Sequence, residues 1–288
     1  MSVQVSLAVP RRAECGEGPV WNPVTNAVHW VDIIKGEMLV TDYATGATRV
    51  TAYPEMVGAV APRAGGGIVA AVASGFVGLD AEGIIDRRAD ILPDGIRMND
   101  AKVDPTGRFW AGSCEMRFAE GRGGLWRLDE NWEPVLVLAD LTLPNGMGWS
   151  PDGRVFYLVE TQGRRILRFD FDPVTSTITS PASILVDSDA FPDGLPDGLA
   201  IDARGHLWVA VYGGSAVHEF SPTGMRLQTV PVPTPQTTSC NFVGAALDEL
   251  WVTSAAVQLD PATDATAGSI FRVEGLGATG LAIPAFQG

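Results

Sequence analysis

Glu17, Asn99, Asn145 and Asp197 stand at one place in a repeated segment of this chain. Each opens a short apolar run: Glu17-Gly18-Pro19-Val20-Trp21, Asn99-Asp100-Ala101-Lys102-Val103, Asn145-Gly146-Met147-Gly148-Trp149 and Asp197-Gly198-Leu199-Ala200-Ile201. Two further runs carry valine there, Val57-Gly58-Ala59-Val60-Ala61 and Val243-Gly244-Ala245-Ala246-Leu247. Carboxylate and amide oxygens are ligands for hard divalent cations, and two carboxylates balance one such ion. So few protein ligands leave positions for water and substrate, as a catalytic site requires. The two valines make the set asymmetric and place the ion to one side. Turn formation is the alternative, because Asn-Gly and Asp-Gly are common turn dipeptides. Glu-Gly-Pro is not a favoured turn, and the shared repeat phase favours ligation. Arg97 lies two residues before Asn99, so in an extended segment both side chains face one way. That spacing fits a cation aimed at a substrate and fits equally a salt bridge to a nearby carboxylate.

These residues converge only if the repeats are arranged radially. The starts recur every 40 to 52 residues or so, the period of propeller blades. Within a repeat the opening run leads through a turn into an aromatic strand. Examples are Pro105-Thr106-Gly107 before Phe109-Trp110-Ala111, Pro151-Asp152-Gly153 before Phe156-Tyr157-Leu158, and Ala203-Arg204-Gly205 before Leu207-Trp208-Val209. Turn residues between β-branched and aromatic runs signal hairpins. Third strands follow, as in Arg165–Asp170 and Ala216–Phe220, and no stretch keeps a helical apolar period. The chain therefore reads as all-β: a six-bladed β-propeller occupying residues 1–288 as one domain, with a metal site in its central channel. Val3–Val9 is expected to pair with the last blade and close the ring. Trp30, Trp110, Tyr157, Trp208 and Trp251 recur at one strand-internal position and read as packing between blades.

Composition narrows the function classes. The formal net charge of −14 over 288 residues argues against nucleic acid or an anionic membrane surface as partner. No apolar run is long enough to span a bilayer, and the first ten residues lack the charged start and apolar core of a signal peptide. Cys15, Cys114 and Cys240 form no CxxC pair and suit a reducing, cytoplasmic setting. His29, His206 and His218 fall in or beside strands and read as structural. Without a histidine in phase, Cys114 is a poor candidate nucleophile.

At Cys15–Trp21 with Trp30–Ile33, Arg97–Trp110, Asn145–Gly153, Pro196–Asp202 and Thr238–Phe242, the chain resembles the senescence-marker-protein, gluconolactonase and luciferin-regenerating-enzyme family, often called regucalcin-like. The resemblance implies a six-bladed propeller holding one divalent metal, with calcium, zinc, manganese and magnesium all admissible. It implies Glu17, Asn145 and Asp197 as metal ligands, Arg97 and Asn99 as substrate contacts, and Asp197 as general base. The activity implied is hydrolysis of a small sugar lactone by metal-activated water. Hydrolysis of another ester or an organophosphate, or non-catalytic calcium binding with a regulatory role, are the competing readings. Two departures stand out. Glu160-Thr161 replaces the family's frequent Asp-Ser, and Gly112-Ser113-Cys114 replaces Gly-Thr-Met. The following segment, through Arg122, is expected to form a lid, with Glu115 and Arg117 both near its substrate-contacting acidic position.

Overall fold

The structure, a computed structural model, describes residues 2–288 and consists of six antiparallel sheets. Blade 1 runs outward through Gly16–Asn22, Ala27–Asp32, Glu37–Asp42 and Thr48–Ala52. The innermost strands of blades 2 to 6 are Val57–Pro62, Ile96–Val103, Pro144–Trp149, Leu195–Ile201 and Thr237–Val243. Gln4–Val9 pairs antiparallel with Ile270–Glu274 and completes blade 6, which closes the ring as expected. Among the described residues the helical content is one 3-10 turn, Ser188–Ala190.

The inner strands are covered on both faces, so apolar and small residues fill them apart from the polar residues near their bulged starts and a few others. Every residue of Gly16–Asn22 is buried, whereas the outermost strand Thr48–Ala52 is largely exposed. The core is divided among the six joints between blades. Trp110 and Leu125 of blade 3 pack on Met147 and Trp149 of blade 4, and Trp30 of blade 1 shares a cluster with Val243 and Trp251 of blade 6. Each blade thus buries apolar surface only against its two neighbours, which lets a chain of this length fold without one oversized core. The recurrent aromatics do this packing: Trp30, Trp110 and Trp208 are fully buried. Their indole N–H groups donate to Thr41, Asp104 and Asp202 respectively.

Every inner strand carries an irregularity near its start. Two residues are unpaired between Glu17 and Val20, Met98 and Ala101, Pro144 and Met147, Pro196 and Leu199, and Thr237 and Cys240; one is unpaired between Val57 and Ala59. A bulge bends the strand and re-aims its side chains, so Asn99, Asn145 and Asp197 each begin a bulge. This register corrects the sequence reading twice. Val243 ends its strand, opposite Glu249, at the far end of the blade from the ring; Thr238 occupies the blade 6 position. In blade 1 that position belongs to Gly18, with φ +54°, and Glu17 comes from one residue earlier.

Candidate metal and substrate site

Glu17, Arg97, Asn99, Asn145 and Asp197 are all nine-tenths or more buried, at the ends of the inner strands where the bulges lie. The bulges bring in a further carboxylate, Asp100. Strict alternation would send Asp100 away from Asn99, but both are unpaired in the bulge of blade 3. The charge of Asp100 reaches both Glu17 and Asp197. Burial, reinforced by Asp197 and Asp100, pushes the Glu17 carboxyl well above its usual range, against the Gly18 N–H and Arg97. Burial and Asp100 push Asp197 up in the same way, against Arg97 and the Asn145 amide. Three carboxylates crowded in a low-dielectric mouth lack enough positive charge of their own.

The cations present are committed elsewhere in part. Arg97 Nη1 donates to Asn99 Oδ1 at 2.8 Å and to Met98 O at 2.9 Å. Lys102 Nζ donates to Leu199 O at 2.6 Å, and its nearest charge partner is Asp100. Asp197 Oδ1 is buried without any hydrogen-bond partner. A buried, unpartnered carboxylate oxygen beside two further carboxylates is the donor set that a hard divalent cation satisfies. Glu17 and Asp197, two of the three ligands that the family resemblance implies, belong to this donor set, and Asn145, the third, sits at the same strand end with Arg97 and Asn99.

Hydrogen bonds link the ring across three of its six joints. Asn99 Nδ2 in blade 3 donates to the Pro144 carbonyl, immediately before Asn145. Asn145 Nδ2 donates to Thr161 Oγ1 at 3.2 Å, and Thr161 Oγ1 donates to the Pro196 carbonyl, immediately before Asp197. Across the closing joint, Thr238 Oγ1 donates to the Gly16 carbonyl, immediately before Glu17. Each link ties one ring residue's blade to the backbone that carries the next. Asp197 as carboxylate has no proton to pass on, and its Oδ1 is the atom left over. The departures from the family pattern keep this order: Glu160 accepts from the Thr142 and Leu143 N–H groups ahead of Asn145.

Ile96 pairs with Glu115, so the segment through Arg122 leaves blade 3 at the end where Arg97 and Asn99 lie. One Glu115 oxygen accepts from the Arg117 and Ala119 N–H groups and shapes this loop. Phe118 holds a left-handed backbone with φ 61°, and Met116 and Phe118 are exposed. Cys114 is buried and its thiol is pushed up by burial, as is that of Cys15; a thiol held protonated is a poor nucleophile. Burial, with Cys15 and Asp197 nearby, pushes the Tyr212 hydroxyl up to about 12. Asp100 and Tyr212 are neighbours that the sequence does not mark, whereas Cys15 and Thr161 enter it only as a motif residue and a departure from the family pattern.

The histidines lie apart from the ring. Burial first and then nearby arginines push His29 and His218 down to about 4, so both are neutral. His206 contacts Glu219 at 2.7 Å in a group with Asp202 whose ligand atoms lie within 4.8 Å of one another. Arg204 already donates to both carboxylates of that group, which makes it an ion-pair network rather than a second metal site.

Fold and site together define a six-bladed propeller with an acidic, arginine-flanked mouth at one end of its channel. The chain belongs to the SMP-30/Gluconolactonase/LRE-like family, whose profile matches residues 15–256. It is 33% identical to human regucalcin over 299 aligned residues, covering 100% of this chain and 99% of the relative. It is 35% identical to the pentonolactonase XacC of Haloferax volcanii, covering 96% of each chain. The solved structure of a calcium-binding protein, regucalcin, from Agrobacterium tumefaciens superposes with a TM-score of 0.92 at 30% identity, covering 98% of this chain and 96% of that one.

Proposed function

We propose that the chain, acting as one unit over residues 1–288, is a divalent-metal-dependent hydrolase that opens a small sugar lactone. The observation that carries this reading is the orphaned Asp197 Oδ1, buried on a carboxylate that feels the charges of Glu17, Asp100 and Arg97. A relative named a pentonolactonase supports the reaction class, and a structural neighbour described as calcium-binding supports the ion. Glu17, Asn145 and Asp197 would hold one divalent ion through oxygen. When bound, the ion polarises the lactone carbonyl and acidifies water. Asp197 would accept the proton of the attacking water as general base. Arg97 keeps further N–H donors while Asn99 and Met98 fix its plane, and those donors orient ring hydroxyls and the ester oxygen. The three unbonded cysteines are consistent with a cytoplasmic setting, and no helix is long and apolar enough to cross a membrane among the described residues.

The test is a pH-stat assay on a panel of aldonolactones with protein stripped by chelator and then given calcium, zinc, manganese or magnesium singly. Turnover restored by one or more ions is expected, and Asp197→Ala should lose it. Full activity in the stripped protein or in Asp197→Ala sinks the proposal. The calcium-binding neighbour also favours a non-catalytic reading, which ion binding without turnover on any lactone would establish. Turnover confined to phosphoesters or other esters would shift the substrate while leaving the site unchanged.

A further inference from the structure

We propose that Thr161 is a positioning residue that decides which end of the Asn145 amide faces the channel. The argument is one of proton direction. Thr161 Oγ1 carries one hydrogen, and the Pro196 carbonyl at 2.8 Å can only accept, so that hydrogen is spent. The hydroxyl then has only lone pairs to show Asn145, and an amide meets a lone pair with its NH2 end. Nδ2 turns to Thr161 at 3.2 Å and also serves the Asp197 carboxylate, and Oδ1, which no protein donor engages among the described residues, is left for an ion. Thr161 is itself 3% exposed, so water does not compete for these bonds.

The same atom sets the spacing of two ligands on different blades. Pro196 immediately precedes Asp197, so Thr161 ties the Asn145 side chain of blade 4 to the backbone that carries Asp197 in blade 5. The backbone of Thr161 is fixed in turn: its N–H donates to Leu143 O at 3.1 Å, and its carbonyl accepts from Arg164 N at 3.0 Å, where Arg164 holds φ 50°. Asn99 supplies the contrast. Its Nδ2 reaches the Pro144 carbonyl directly and its Oδ1 accepts from Arg97, so both ends are engaged and the oxygen is shared with a cation of the protein. A hydroxyl interposed in blade 4 and absent from blade 3 separates a metal-facing asparagine from a substrate-facing one.

This inference rests on the metal site proposed above, and the experiment separates the two. Calcium and manganese affinities are measured by calorimetry on stripped protein, with thermal midpoints recorded alongside. Thr161→Val keeps the shape and removes the hydroxyl; a loss of about 10- to 100-fold in affinity is expected. Thr161→Ser should restore affinity to within about threefold of wild type, on the same scale. In an Asn145→Asp background both side-chain oxygens are equivalent, so the further effect of Thr161→Val should largely vanish, which a merely structural role would not produce. If Thr161→Val is too unstable to purify, Thr161→Ala in the two backgrounds gives the same comparison. Wild-type protein that binds neither ion overturns the metal reading. Wild-type binding that Glu17→Gln weakens but Thr161→Val leaves intact overturns the role of Thr161 alone, as does an equal loss in both backgrounds.

Discussion

Asn99 and Asn145 carry the same side chain at the same place in adjacent repeats, yet their oxygens are in different states. Asn99 Oδ1 is bound by Arg97, and Asn145 Oδ1 is free. Replacing Asn99 or Arg97 by alanine should therefore raise KM or lower kcat by roughly 10- to 100-fold while calcium affinity stays within about threefold, whereas Asn145→Ala should lose affinity as well. Steady-state kinetics beside calorimetry checks the split. The raised carboxyls at Glu17 and Asp197 make a second prediction for stripped protein. Their protonated forms suit the fold, so the stability they contribute is present below the ordinary carboxylate range. It is lost as pH rises through their raised values. Thermal midpoints of stripped wild type should thus fall with rising pH relative to Glu17→Gln, and the gain on adding calcium should grow over the same window. A calcium gain that is flat with pH would show that the crowded carboxylates do not govern this mouth. The ring residues themselves were legible because their types recur in phase. Asp100 was not, because alternation assigns it to the opposite face and only the bulge brings its charge to Glu17 and Asp197.

The element that makes the site is the bulged start of each inner strand, and the bulge explains where the sequence reading slipped. Aligning the starts of short apolar runs places Val243-Gly244 in phase, but that glycine, at φ 84°, begins the turn at the other end of the strand. The Thr238 position has no glycine after it and no ligand oxygen of the expected kind, so nothing in its residue types marked it. Turns, aromatic strands and the closing strand were legible, since each depends on local chemistry. Register was not, because the two-residue offset appears only when neighbouring strands pair. The bulges also bring backbones of adjacent blades together. A Cβ on Gly58 would lie 2.2 Å from Asn99 O and 2.9 Å from Met98 O, both backbone atoms that cannot swing aside. Gly58→Ala should cost about 2–3 kcal/mol by urea unfolding and raise KM by shifting Asn99 and Arg97. Gly65→Ala, in an open turn of the same blade with nothing within 4 Å, should change stability by no more than about 0.5 kcal/mol. Equal effects at the two positions would remove the close approach as the cause.

At the scale of the whole molecule, the proposed ligands come from blades 1, 4 and 5, and their arrangement depends on a ring joined at one seam. Blade 6 is completed by Gln4–Val9, a strand that is mostly exposed and anchored by few apolar side chains: Val9 is 4% exposed, and Val5 packs on the cluster between blades 5 and 6. Its main contribution is pairing with Ile270–Glu274, which ties the chain's two ends together. Just inside that seam, Thr238 in blade 6 donates to the carbonyl before Glu17, and Asn241 Nδ2 donates to Pro19 O at 2.8 Å. Glu17 is thus held in place from the blade that the closing strand completes. Deleting residues 1–9 should lower the thermal midpoint and also weaken calcium binding, because an opened seam lets Glu17 drift from Asp197 and Asn145. Val9→Ala, which leaves the backbone pairing intact, should cost only about 1–2 kcal/mol and spare the affinity. Hydrogen exchange adds a local reading: in the deletion variant, protection should fall first in Ile270–Glu274 and Thr237–Val243 and later in blades 3 and 4. A deletion variant with a lowered midpoint, unchanged affinity and uniform exchange would mean that the inner-strand contacts hold the ring by themselves and that the closing strand contributes only global stability.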